Sequence, residues 1–144
     1  MAILDTSTIT KAVENMLKQN LSGYLISRNE RKNVDPNKCN ITKGWIGIYS
    51  DSDEYEAYVI GSRPWKVTPS VLINTQVTDM RSGAKCEEKL KEAIHDIVAV
   101  LEADRTLDGT VAYIMGYSIT YEYNDTQEIY YYGANIRVKC ETRA

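Results

Sequence analysis

Apolar residues recur at three- and four-residue spacing early in the chain, at Ile9, Ala12, Val13, Met16 and Leu17, after the cap-rich run Asp5-Thr6-Ser7-Thr8. That period predicts an amphipathic helix, which stops near Asn20 where Leu21-Ser22-Gly23 breaks the pattern. Tyr24-Leu25-Ile26 reads as a short strand or as the chain entering the core. The next stretch, RNERKNVDPNKCNITK (28–43), is polar and aperiodic with one proline, and is the longest loop expected.

Strand patterns follow in series. GWIGIYS (44–50) is rich in strand-favouring residues and is expected to end in the acidic run Asp51-Ser52-Asp53-Glu54-Tyr55-Glu56. Tyr58-Val59-Ile60 begins a second extended run, halted by Gly61 and Pro64. SVLINTQVTD (70–79) alternates, with Val71, Ile73 and Val77 on one face. After Arg81-Ser82-Gly83, a helix is expected from about Lys85 to Asp104. Its apolar face holds Leu90, Ile94, Ile97, Val98 and Leu101, with Glu87 and Lys91 spaced for an outward ion pair. Leu107-Asp108-Gly109 closes it.

The last segment concentrates tyrosine: six of the chain's eleven fall within residues 117–132. A tight turn at Asn124–Gln127 makes a hairpin in which Tyr123 faces Glu128, Tyr121 faces Tyr130 and Met115 faces Ile136. That register sorts both strands into an apolar and a mostly polar face, whereas a one-residue slip mixes them. Most of these rings therefore point to the core, from an aliphatic end at Met115, Ile136 and Val138 to a tyrosine tip at Tyr121, Tyr123 and Tyr130. Tyr131 stands on the polar face. A single-strand nucleic-acid platform needs Arg or Lys between its rings, but Glu122, Asp125 and Glu128 occupy this region.

Composition narrows the function. A chain of 144 residues, 43% hydrophobic and 26% charged, is expected to form one domain over residues 1–144 with a core of its own. Residues 1–72 carry 9 basic and 8 acidic side chains and residues 73–144 carry 8 and 12, so neither half has a basic footprint for sequence-specific nucleic-acid binding. No apolar run reaches about 18 residues and no secretory leader is visible, so a cytoplasmic chain without membrane contact is expected. Cys39, Cys86 and Cys140 are widely spaced and read as free thiols.

Catalytic templates find few of their parts. The only histidine, His95, lies on the second helix away from its apolar face and reads as solvated. No glycine-rich phosphate loop occurs. A calcium loop opening at Asp51 needs glycine in sixth place and glutamate in twelfth, where Glu56 and Ser62 stand. The acidic run reads as a solvated turn, with a weak divalent-ion site shared between subunits as the alternative. Arg63-Pro64-Trp65 reads as a strand end closing the core or as an exposed anchor. No enzyme, cofactor or metal is expected.

The order is helix, irregular segment, strands, long central helix and closing hairpin. With the section DGTVAYIMGYSITYEYNDTQEIYYYGANIRVKCETRA (108–144), it resembles the tail terminator, or tail-completion, proteins of long-tailed bacteriophages, including the lambda-like family. A Gly-Tyr strand, a short acidic turn and an aromatic strand of alternating residues carry the likeness, and the strand and helix over 70–101 fit it. The resemblance implies an α+β subunit, its N-terminal and central helices packed on a mixed or antiparallel sheet. It also implies a homo-oligomeric ring, typically a hexamer, which caps the tail tube, stops its polymerisation and meets the head's neck or connector protein. Assembly in the host cytoplasm and a place at the head–tail junction of the virion follow. The 28–43 loop departs from shorter members and has no assigned role.

Ring contacts join two different patches. The basic loop with Arg28, Arg31, Lys32 and Lys38 is one expected patch, and the acidic run with Asp51, Asp53 and Glu54 the other. Arg63, Trp65 and Tyr131 are further contact candidates. Three alternatives stand beside this reading: a head–tail adaptor or head-completion neck protein, a small-molecule-binding or enzymatic domain with a pocket beneath the Tyr121/Tyr130 tip, and a protein-binding module anchored by Trp65 and Tyr131.

Overall fold

The computed structural model describes residues 7–28, 44–57, 65–79, 82–125 and 130–143. Helix α1 spans Ser7–Asn20 and helix α2 spans Gly83–Ala103. The strands are β1 Tyr24–Arg28, β2 Gly44–Ala57, β3 Trp65–Asp79, β4 Tyr113–Asp125 and β5 Tyr130–Arg143. They form one five-stranded sheet in the order β1-β2-β3-β5-β4. Only β1 and β2 run parallel; the other neighbours are antiparallel. The fold is α+β, with an N-terminal and a central helix on a mixed sheet.

Both helices lie on one face, α1 over β1 and β2 and α2 over β3 and β5, and they touch each other. The alternation of apolar residues along each strand lines up across the sheet beneath them. Ile48, Ile73, Ile136 and Ile119 form one continuous row, and the first three are fully buried. From above, Ile9, Val13 and Leu17 of α1 and Leu90, Ile94, Ile97 and Leu101 of α2 close the core. The residues whose spacing predicted the helices are these same side chains. Cys86 and Cys140 are buried free thiols, and Cys39 lies outside the described residues.

Helix α2 starts two residues before the expected Lys85 because Ser82 caps it, its hydroxyl accepting from the Lys85 amide at 3.1 Å. Ser82→Ala is expected to cost about 1 kcal/mol, measured as a lower urea midpoint with an unchanged slope. Lys91 does not settle on Glu87 as expected; it donates to the Tyr121 hydroxyl at 2.9 Å and lies 4.2 Å over that ring.

Three expectations need correction. The acidic run is not a turn, because β2 continues through it, paired with β3 as far as Ala57 opposite Trp65. A bulge between Ser50 and Ser52 absorbs Asp51, whose carboxylate accepts from Arg137 Nε at 2.7 Å. The pairing of the last two strands also differs from the expected register. Asn124 and Asp125 remain in β4, so Tyr123 faces Tyr132 and Tyr121 faces Ala134, four places beyond the expected Tyr130. Four is even, so the sorting of faces survives. A second bulge, between Ile114 and Gly116, reverses the faces at the start of β4. Ile114 is fully buried there, while Tyr113 and Met115, expected inside, are each 45% exposed.

Candidate functional site: an aromatic edge strand

Strand β4, YIMGYSITYEYND, ends the sheet order and has one described strand neighbour, β5. It contains no Lys, Arg or Pro. Those residues commonly blunt a free edge, because its unpaired N–H and C=O groups otherwise template another strand. Five large hydrophobic side chains are exposed among the described residues, and four of them, Tyr113, Met115, Tyr121 and Tyr123, are on β4. The fifth, Tyr131, is on β5. Apolar and aromatic surface is thus collected along one sheet edge.

The rings on the helix side hold one another in place. Tyr121 and Tyr123 stack with centroids 6.3 Å apart, and Tyr132 meets Tyr123 edge-on at 4.8 Å. Helix α2 reaches over them at two points. Lys91 covers Tyr121, and Glu102 accepts from the Tyr117 hydroxyl at 2.6 Å. At the bulged end, Arg105 donates to the Ile114 carbonyl at 3.1 Å and lies 3.6 Å from Glu102. This arrangement fixes the positions of the rings while leaving their outer edges in water.

Burial, followed by the hydrogen bond to Glu102, raises the Tyr117 pKa above the usual phenol range. Tyr24 behaves alike: burial, then its 2.9 Å bond to Asp96 of α2, keeps it neutral. Folding therefore favours the protonated phenols. The stability this supplies is present below about pH 10, the unfolded value, and is lost as pH rises through the higher folded values. In a pH titration followed by phenolate absorbance, these two are expected to ionise above the usual phenol range, and Tyr117→Phe should remove one of those late steps. Tyr117 ionising with the bulk would contradict the Glu102 contact.

Two hollows are formed among the described residues. One, about 600 Å³, lies between the helices and is lined by Asn15, Gln19, Asp96, Ala103 and Asp104 among others. Asp104 is occupied locally. Its carboxylate accepts from the Thr106 side chain and from the Thr106 and Asp108 amides, which hold its pKa below the usual range. The other hollow, about 360 Å³, sits on the far face of the sheet among Gln76, Glu122, Tyr131, Tyr132 and Gly133. It is the nearest counterpart of the pocket expected beneath the tyrosine tip, although Tyr121 and Tyr130 do not face each other. Among the described residues no three His, Cys, Asp or Glu side chains gather as a metal site, and no helix is long and apolar enough to cross a membrane.

The remaining candidates are scattered. Arg28 ends β1 opposite Ile48 of β2, so it sits beside the strand that carries the acidic run, not at the opposite edge. Asp51 is held by Arg137, whereas Asp53 and Glu54 are exposed. Tyr131 is exposed on the face away from the helices, and Trp65 opens β3 opposite Ala57. Arg31, Lys32, Lys38 and Arg63 lie outside the described residues. Sequence reasoning missed the outward aspect of Tyr113 and Met115 and the part played by Arg105. Its one available signal was the absence of Lys, Arg and Pro from 113–125. No family model matches the chain, and no curated protein matches it at a significant level.

Proposed function

We propose that this chain is a virion structural subunit of the tail-terminator kind. It assembles with copies of itself into a ring that caps the tail tube, stops tube growth and offers a joint to the head or neck. The observation that carries this reading is the collection of exposed aromatic and apolar side chains on one edge strand, which suits protein contact. The α+β arrangement of two helices on one face of a sheet closed by a C-terminal hairpin agrees with the resemblance in the sequence. A neck adaptor or head-completion protein is the neighbouring reading, separated by whether the protein binds tube ends or portal complexes.

Ring closure needs two different patches. The flank formed by Arg28 at the end of β1 and the exposed Asp53 and Glu54 of β2 is one side of that contact. Exposed charges there set register and partner choice more than affinity. The double reversal Asp53→Lys/Glu54→Lys is expected to lower the ring fraction in native mass spectrometry, most clearly at low salt. Asp51→Asn, which alters a contact within the subunit, serves as the control. Rings of unchanged abundance at low salt would remove this flank from the contact.

The hollow beside Tyr131 supports a second reading, a small-molecule-binding domain. That reading predicts a monomer or dimer whose tyrosine fluorescence changes on titration with a ligand.

A further inference from the structure

We propose that the hollow among Gln76, Glu122, Tyr131 and Gly133 receives the guanidinium group of an arginine side chain from a partner protein. The contact goes beyond the ring reading: these residues stand together within one subunit, so the site needs no second copy to complete it.

The shape of the hollow follows from the strand register. Gly133 of β5 pairs with Gln76 of β3 on one side and with Glu122 of β4 on the other, so they share a row on the face away from the helices. Neighbouring strands lie about 4.8 Å apart, which sets Gln76 and Glu122 about 10 Å from each other with no side chain between them. Pairing is continuous through this row, without a bulge. A glycine inside such a strand weakens it, and often marks the close approach of a ligand or of another backbone. A Cβ at Gly133 would stand 3.3 Å from the Thr75 carbonyl oxygen and 3.5 Å from Gln76 Cγ, so the glycine both fits the sheet and leaves the floor bare. Tyr131, two residues away on the same face and 42% exposed, supplies an aromatic wall.

Charge and shape select the occupant. Among the described residues the Glu122 carboxylate, the Gln76 amide and the Tyr131 hydroxyl make no hydrogen bond or ion pair. On β5 the nearest basic side chains of this face are Arg137 and Lys139, further along the strand, and Arg137 is held by Asp51. The hollow therefore offers an uncompensated negative charge beside an aromatic ring, which suits a cation. A guanidinium meets all three groups at once. Its plane stacks on Tyr131, one edge donates to the Glu122 carboxylate, and the remaining N–H groups reach the Gln76 carbonyl oxygen. An ammonium has no plane to stack. The apolar stem of an arginine lies along the exposed ring while its backbone stays outside, so the group arrives from a protein surface.

Titrating the isotope-labelled full chain with N-acetyl-arginine amide, and following the Gly133 amide by nuclear magnetic resonance, tests the site. A saturable shift in the millimolar range, weakened by salt, is expected. The neutral citrulline derivative should give no saturable shift, and the lysine derivative should bind several-fold more weakly. Glu122→Gln, at an exposed position where the fold is not at stake, should weaken binding roughly tenfold or more, and Tyr131→Leu several-fold. No saturable shift at Gly133 would overturn the proposal, as would unchanged binding in Glu122→Gln. Equal binding of the lysine derivative would overturn the choice of guanidinium. Free arginine binding more tightly than its capped form would overturn the protein source and point to a small molecule. Ring formation is read separately by native mass spectrometry, so failure of this site and failure of the ring reading remain distinguishable.

Discussion

Ile136→Ala is expected to destabilise the protein by about 4 kcal/mol, near the upper end for emptying a buried isoleucine site. Ile136 is on β5, which lies between β3 and β4, and its side chain is fully buried. It faces Ile73 on one side and Ile119 on the other, under the helix layer. Strands on both flanks keep the backbone from closing around the missing atoms, so most of the cavity persists. Against a typical domain stability of about 5–15 kcal/mol, such a loss removes a large share. Urea unfolding followed by circular dichroism measures it. A loss below about 1 kcal/mol would mean that the isoleucine row is not the centre of the core.

Gly44→Ala is the second large effect, expected at about 3 kcal/mol from backbone strain and overlap together. Gly44 opens β2 with φ +142, a conformation that side chains rarely adopt. A Cβ there would stand 2.4 Å from the Gln76 carbonyl oxygen and 3.1 Å from Val77 Cγ1. The obstructing oxygen belongs to the backbone of β3, so relief requires β2 and β3 to shift together. Tyr24 of β1 pairs at the same residue, and the disturbance reaches the parallel edge as well. Gly116→Ala is the matched control: nothing lies within 4 Å of the Cβ it would add. It should change stability by no more than about 0.5 kcal/mol, and equal losses at the two sites would refute the steric argument.

Helices were the most legible part of the sequence, because their period is local. Ile9, Ala12, Val13, Met16 and Leu17 are all buried, as their spacing required. Strand faces were legible for the same reason: Val71, Ile73 and Val77 of β3 point inward. Pairing partners were less so. The run Asn-Asp-Thr-Gln-Glu offers several equally polar places to turn, and Asn124 and Asp125 stay extended because Tyr131 and Tyr130 pair with them. Nothing local marks the bulges at Asp51 and Met115, which come from matching strands of unequal length across the sheet.

The candidate site was the least legible feature, because strand order is a property of the whole sheet. β5 enters between β3 and β4, which leaves β4 at the edge with its tyrosines half in water. Read as a simple hairpin, the same residues look like core. The placement of the charge patches was hidden in a related way. Arg28 and the acidic run are separated in sequence, yet they lie on neighbouring strands, and Asp51 is bound within its own subunit. Long-range pairing decided each of these points.

Adding the purified protein to tail tubes while they polymerise, and measuring tube length by electron microscopy, tests the functional reading most directly. The account predicts that tubes stop growing at lengths set by the time of addition, each with a ring of this protein at one end. Tubes that keep lengthening, with no protein at their ends at any concentration, would contradict it.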